Sequence, residues 1–150
     1  MDYIEEANRL FGNEDRPEHF TDYKHCTECA EHNKTLRQSN PETLTLNEIR
    51  PGWDPLCFIT PKGFRYYFPA LVRLAIGGTG PTYFIDQLIF HLELDGNNNC
   101  RFQAFSAAQR EFVVRVLNYL AETHAAEIEE NLDSENLFRT IAIWENENVA

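Results

Sequence analysis

Apolar positions recur mostly at helical spacing along this chain. Tyr3, Ile4, Ala7, Leu10 and Phe11 stand at i, i+1, i+4, i+7 and i+8, which predicts a one-faced helix that stops at Gly12. A polar run from about Tyr23 to Arg37 predicts a second helix, ending before Ser39-Asn40-Pro41. Thr60-Pro61 reads as an N-cap followed by proline at the first helical position. Phe64, Tyr67, Phe68, Leu71, Leu74 and Ala75 then mark a buried face, and Pro69 within it predicts a kink. Gly77-Gly78-Thr79-Gly80-Pro81 ends that helix, and another follows over about 82–92. Ser106-Ala107-Ala108-Gln109 fits a capping box in front of Phe112, Val113, Val116, Leu117 and Leu120. Asp133 or Ser134 caps a last helix carrying Leu137, Phe138, Ile141 and Trp144. The pattern breaks between Pro41 and Thr60, where TLTLNEI (43–49) alternates like a short strand and Pro51-Gly52 and Asp54-Pro55 read as turns. About six helices, with room for one small β-hairpin, predict an all-α class; a small α+β fold is the alternative.

Composition narrows the function classes. A length of 150 residues suits one domain with a real core, and 43% hydrophobic and 13% aromatic residues can fill it. Thirteen Lys+Arg face 24 Asp+Glu, a net charge of −11. That balance argues against nucleic acid and against an anionic membrane surface, both of which call for basic residues. The acids are unevenly placed: residues 121–150 hold eight against a single base, so an acidic helical extension is expected from about residue 126. The acidic, amphipathic N-terminus does not read as a signal peptide, and no apolar run approaches the ~18–20 residues of a membrane span. Four cysteines are too few for a disulfide scaffold of this size, so reduced thiols and a cytoplasmic location are expected.

The segment with most chemical content is His25-Cys26-Thr27-Glu28-Cys29-Ala30-Glu31-His32. At ~100° per residue, a helix would bring His25, Cys29 and His32 within roughly 60° of one another, with Cys26 alongside. Zinc takes four such ligands in a tetrahedron. A single CxxC supplies half a site, His32 and His25 extend it, and Cys57 or His19 are candidates for a ligand from elsewhere. The competing reading has the two cysteines as small packing residues and the histidines solvated. A redox CxxC of the thioredoxin kind calls for a preceding buried strand, which His19–Lys24 do not make. No activated Cys–His pair or other catalytic set is visible. Asp95-Gly96-Asn97-Asn98-Asn99 begins like a calcium loop, but Cys100 and Ser106 stand where it needs Gly and Glu, so an Asn-rich turn is expected. Gly77-Gly78-Thr79-Gly80 lacks the GK[ST] ending of a phosphate loop and reads as a helix stop.

Three segments in order, His25-Cys26-Thr27-Glu28-Cys29, then Phe64-Arg65-Tyr66-Tyr67-Phe68-Pro69-Ala70, then Arg101-Phe102 leading into Ser106-Ala107-Ala108-Gln109, give the chain a family likeness. It resembles a family of small bacterial proteins, a domain of unknown function, that share an HCxEC segment, a YYxPA helix and an SxxQ-started helix. The resemblance spans about residues 3–125 and implies a bacterial, cytoplasmic, single-domain protein. It transfers no reaction, and the acidic stretch after about Ala125 lies outside it.

Two functional expectations follow. The first is a non-enzymatic interaction protein, of immunity or antitoxin type, whose acidic surface (Glu127, Glu129, Glu130, Asp133) steers a basic protein partner. Aromatic anchors such as Tyr66, Trp53 or Trp144 would then supply its hot spots. The second is a zinc-binding protein with Cys26, Cys29, His32 and His25 as ligands, the site being structural rather than catalytic. Apart from that zinc, no cofactor is expected.

Overall fold

The computed structural model describes residues 1–146, and among these there are nine α-helices, three short 3-10 turns and no strand. The all-α expectation therefore holds, and the α+β alternative does not. The helix count differs from six because three helices are too short to show a period: α3 (Leu46–Ile49), α6 (Cys100–Ala104) and α8 (Ala125–Glu130). The six expected helices are α1 (Tyr3–Phe11), α2 (Thr27–Arg37), α4 (Pro61–Gly77), α5 (Ile85–Glu93), α7 (Ala107–Thr123) and α9 (Ser134–Trp144). Where alternation predicted a strand, Thr45 and Glu48 close a reciprocal capping box and start α3 instead. A local hydrogen-bonding choice thus overrides a two-residue period.

The chain divides into two compact units, one of residues Asp2–Leu74, the other of Met1 and the residues from Ala75 on. In the first unit, Asp2 caps α1 by accepting from the Ile4 and Glu5 amides. Phe11, Phe20, Leu36, Leu44, Ile49, Leu56, Phe64, Tyr67, Phe68 and Leu71 are buried. The Tyr67 hydroxyl lies 2.5 Å from the Leu36 carbonyl and 2.6 Å from that of Ser39, and burial pushes its pKa up. Two arginines also donate to carbonyls at and beyond the end of α2. Arg16 donates to Arg37 and Ser39, and Arg73 to Pro41 and Leu44. α4 continues through Pro69. Proline removes one amide donor there, but the helix is held by buried residues on either side of it, Phe64, Tyr67 and Phe68 before and Leu71, Val72 and Ala75 after.

In the second unit α9 lies against both α5 and α7. Trp144 is buried, its ring 5.2 Å from Phe102 and 5.4 Å from Phe105, and its indole N–H donates to the Leu92 carbonyl at 2.9 Å. Asn99 explains the Asn-rich turn. Its amide donates to the Leu92 carbonyl at the end of α5, while its oxygen accepts from the Arg101 and Phe102 amides at the start of α6. The glycine loop is likewise spoken for. α4 stops at Gly77, and the Gly80 N–H donates to the Glu127 carboxylate at 3.0 Å. No described helix is long and apolar enough to cross a membrane.

Candidate functional site at the start of α2

The site begins with the connector that enters α2. Asn33, buried on α2, accepts from the Phe20 amide at 2.7 Å and the Thr21 amide at 3.3 Å. The Thr21 hydroxyl donates to the Cys29 carbonyl at 2.6 Å, and the Thr60 amide donates to the Phe20 carbonyl. Residues 20–21 are thus pinned to the helix they precede. The His25 amide then donates to the Asp22 carbonyl at 3.0 Å, turning the chain so that Cys26 arrives as the N-cap in extended conformation.

A cysteine in that position has a definite electrostatic setting. The Cys29 amide donates to the Cys26 sulfur at 3.3 Å, one of the free amides of the first turn. The two sulfurs are 3.3 Å apart, and His25 Nδ1 is 3.7 Å from the Cys29 sulfur. The Cys29 amide, then the His25 ring, then the Cys29 thiol stabilise the Cys26 thiolate and bring its pKa down to about 7. Cys29 moves the other way, because it keeps its proton to donate to Cys26 and because it is buried. The hydrogen bond between His25 and Cys26 raises the pKa of His25 in turn. Cys26 and His25 are exposed.

Three of the four expected ligands therefore converge: the donor atoms of His25, Cys26 and Cys29 all lie within 4.8 Å of one another. His32 is not in that group. Its ring is buried, stacked on Phe58 at 4.7 Å and tilted against Trp53 at 4.3 Å, with Nε2 3.5 Å from a Glu28 carboxylate oxygen. A helical wheel groups His32 with His25 only if α2 extends back over residues 25 and 26. α2 starts at Thr27, so His25 approaches from the preceding turn and not along the wheel. Neither candidate from elsewhere joins the group. His19 stacks on Tyr23 and accepts from the Asn33 amide, and Cys57 faces the Asp54 carboxylate at 3.8 Å. The signal that finds the site in sequence is CxxC preceded by His; what it lacks is the position of the cap.

The expected partner-binding residues separate into two groups. Glu127 holds the Gly80 amide, and Asp133 is buried and accepts from the Tyr83 hydroxyl at 2.7 Å, which with burial drives the pKa of Tyr83 up. Trp144 is core, and Tyr66 is half-buried with its hydroxyl accepting from Arg16 at 2.9 Å. Only Glu129 and Glu130 are exposed. Beside them stands a residue the sequence reading passed over, Leu132, 85% exposed and at φ 60°. The Asp133 amide donates to Ile128 and the Leu132 amide to Glu129, the double closure of a Schellman helix end, whose left-handed position glycine ordinarily fills.

The donor set of the α2 site fits zinc. With Zn–S near 2.3 Å and Zn–N near 2.0–2.1 Å, the edges of a tetrahedron come to about 3.5–3.8 Å. The observed separations of 3.3 and 3.7 Å need adjustments of a few tenths of an ångström. No curated protein and no solved structure is detectably similar to the chain. One family profile matches residues 17–146, carrying the likeness past Ala125 through the acidic helices, and the chain belongs to that family, described as a family of unknown function, DUF6714.

Proposed function

We propose that this protein binds zinc through His25, Cys26 and Cys29 at the start of α2. The observation that carries the reading is the convergence of two thiols and one imidazole within 4.8 Å on a turn held by Asn33 and Thr21. Two sulfurs and one nitrogen suit zinc far better than calcium or magnesium, which take oxygen. All three ligands come from five consecutive residues, and His25 and Cys26 face solvent, so a fourth position is left for water or an outside ligand. Cobalt(II) titration of the reduced chain tests this. One equivalent should develop thiolate-to-cobalt absorption, lost in Cys26→Ser with Cys29→Ser and kept in Cys57→Ser. Weak binding that the double variant leaves unchanged would end the reading.

A second reading is a protein-interaction surface of the second unit, accepting a basic partner. Leu132 favours it. An exposed leucine in the left-handed region, next to Glu129 and Glu130, costs about 1–2 kcal/mol that glycine would not. An apolar anchor with an acidic rim gives that cost a purpose. Association should weaken as salt rises and weaken again in Leu132→Gly; a partner whose affinity ignores both would exclude this surface.

A further inference from the structure

The sulfurs of Cys26 and Cys29 invite a second chemistry that does not depend on a metal. We infer that Cys26 and Cys29 are a reversible dithiol–disulfide couple, exchanging with small-molecule disulfides, with Cys26 the attacking sulfur and Cys29 the resolving one. This goes beyond the zinc reading and competes with it for the same two atoms.

Geometry carries the inference. A disulfide needs its sulfurs at about 2.05 Å, and these stand 3.3 Å apart with no chain element between them. The N-cap is in extended conformation outside the helix, so Cys26 can close that gap by side-chain rotation while α2 stays intact from Thr27 on. Access is divided as the chemistry requires: Cys26 is exposed, whereas Cys29 is buried. An outside disulfide therefore meets Cys26 first, and Cys29 is shielded from it yet within reach of Cys26. Among the described residues no strand precedes the motif, as one does in a thioredoxin-like fold, but thiol exchange depends on the two sulfurs and their access.

The Cys26 thiolate attacks one sulfur of a disulfide RSSR, forming a Cys26–SR mixed disulfide and expelling one RS⁻. The Cys29 sulfur, losing its proton, attacks the Cys26 sulfur, breaks the bond to SR and expels the second RS⁻. One protein disulfide forms and one small disulfide breaks. Two electrons pass from the protein to RSSR, and the two protons given up by the protein end on two RSH. Zinc held by both sulfurs would block the first attack, so oxidation and metal binding exclude each other.

The test uses the full chain, stripped of metal by a chelator and reduced, then equilibrated with oxidised and reduced glutathione at a series of ratios. Intact mass should fall by two hydrogens per chain, and the Cys26–Cys29 peptide should carry the bond, with Cys57 and Cys100 still alkylatable. Cys29→Ser should stop at a stable glutathione adduct on Cys26, while Cys26→Ser should give no adduct on Cys29. Adducts spread evenly over the exposed cysteines, or a Cys26 adduct that persists in the unaltered chain, would overturn the inference. Metal content of the reduced protein is read separately, so zinc binding and the disulfide can fail independently of each other.

Discussion

The two units spend their polar side chains differently. In the second unit the buried polar groups tie helix to helix. Asp133 takes the Tyr83 hydroxyl, Asn99 joins the end of α5 to the start of α6, and the Trp144 indole donates to Leu92. In the first unit Asn33 and Thr21 do similar work, but what they hold is a turn whose side chains remain outside. His25 and Cys26 face solvent. A fold that fixes an exposed reactive turn from behind has built a site, whereas one that consumes its polar groups internally has built a scaffold. The difference predicts where substitution will cost stability and where it will cost chemistry.

The largest stability effect belongs to the second unit. Trp144→Ala empties the space against Phe102 and Phe105 and leaves the Leu92 carbonyl without its indole donor. A loss of about 3–5 kcal/mol is expected in denaturant unfolding. A loss under 1 kcal/mol would mean that Trp144 is a surface anchor after all, and the contrast between the units would fail. Next comes the acidic cluster. Asp133→Ala removes a buried carboxylate and leaves the part-buried Tyr83 hydroxyl without its acceptor, and should cost about 1–3 kcal/mol, while Glu130→Gln should fall within about 0.5 kcal/mol of the parent. Equal effects would show that the cluster does not divide as described.

These residues also mark how far sequence could see. Helices of nine residues or more show in their apolar spacing because burying one face repeats along several turns. α3, α6 and α8 complete fewer than two turns each, and α3 and α6 are set by caps instead, Thr45 with Glu48 in one case and Asn99 in the other. The metal-ligand types around Cys26 are plain in the sequence, since few segments hold His and two Cys so close. Their arrangement is not, because it turns on where the helix begins, and helix ends carry the weakest periodic signal. The same uncertainty hid the role of His32, which a wheel places with the ligands and which Trp53 and Phe58 enclose. Trp144 and Tyr66 read equally well as core or anchor in a sequence, because an amphipathic aromatic serves both.

The first unit's chemistry should show in pH. On metal-free, reduced protein, the rate of Cys26 alkylation by iodoacetamide should rise with a midpoint near pH 7, following its thiolate. The sign is fixed by the lowered pKa: the reactive form is present above pH 7 and is lost as pH falls through it. An ordinary thiol, with a pKa near 8.5, is only a few per cent ionised at pH 7. Cys26 should therefore react about tenfold faster there than in the urea-unfolded chain. A midpoint that stays put on unfolding would show that the cap and the His25 ring contribute nothing.

A small change at Leu132 separates strain from use. Leu132→Gly relieves a left-handed backbone that costs leucine about 1–2 kcal/mol, and gives back about 0.5–1 kcal/mol through the freer unfolded chain. The net is a gain of about 0–1.5 kcal/mol, readable as a small rise in the denaturation midpoint at unchanged slope. Leu132 contributes little burial to offset this, being 85% exposed, so a loss of stability would mean that the side chain packs in solution in a way its exposure denies. A gain would mean that the second unit retains a residue its own folding does not favour. The scaffold would then have one exposed feature of its own, and the contrast with the first unit would narrow from whole units to single positions: one turn that holds thiols, and one helix end that offers an apolar side chain beside Glu129 and Glu130.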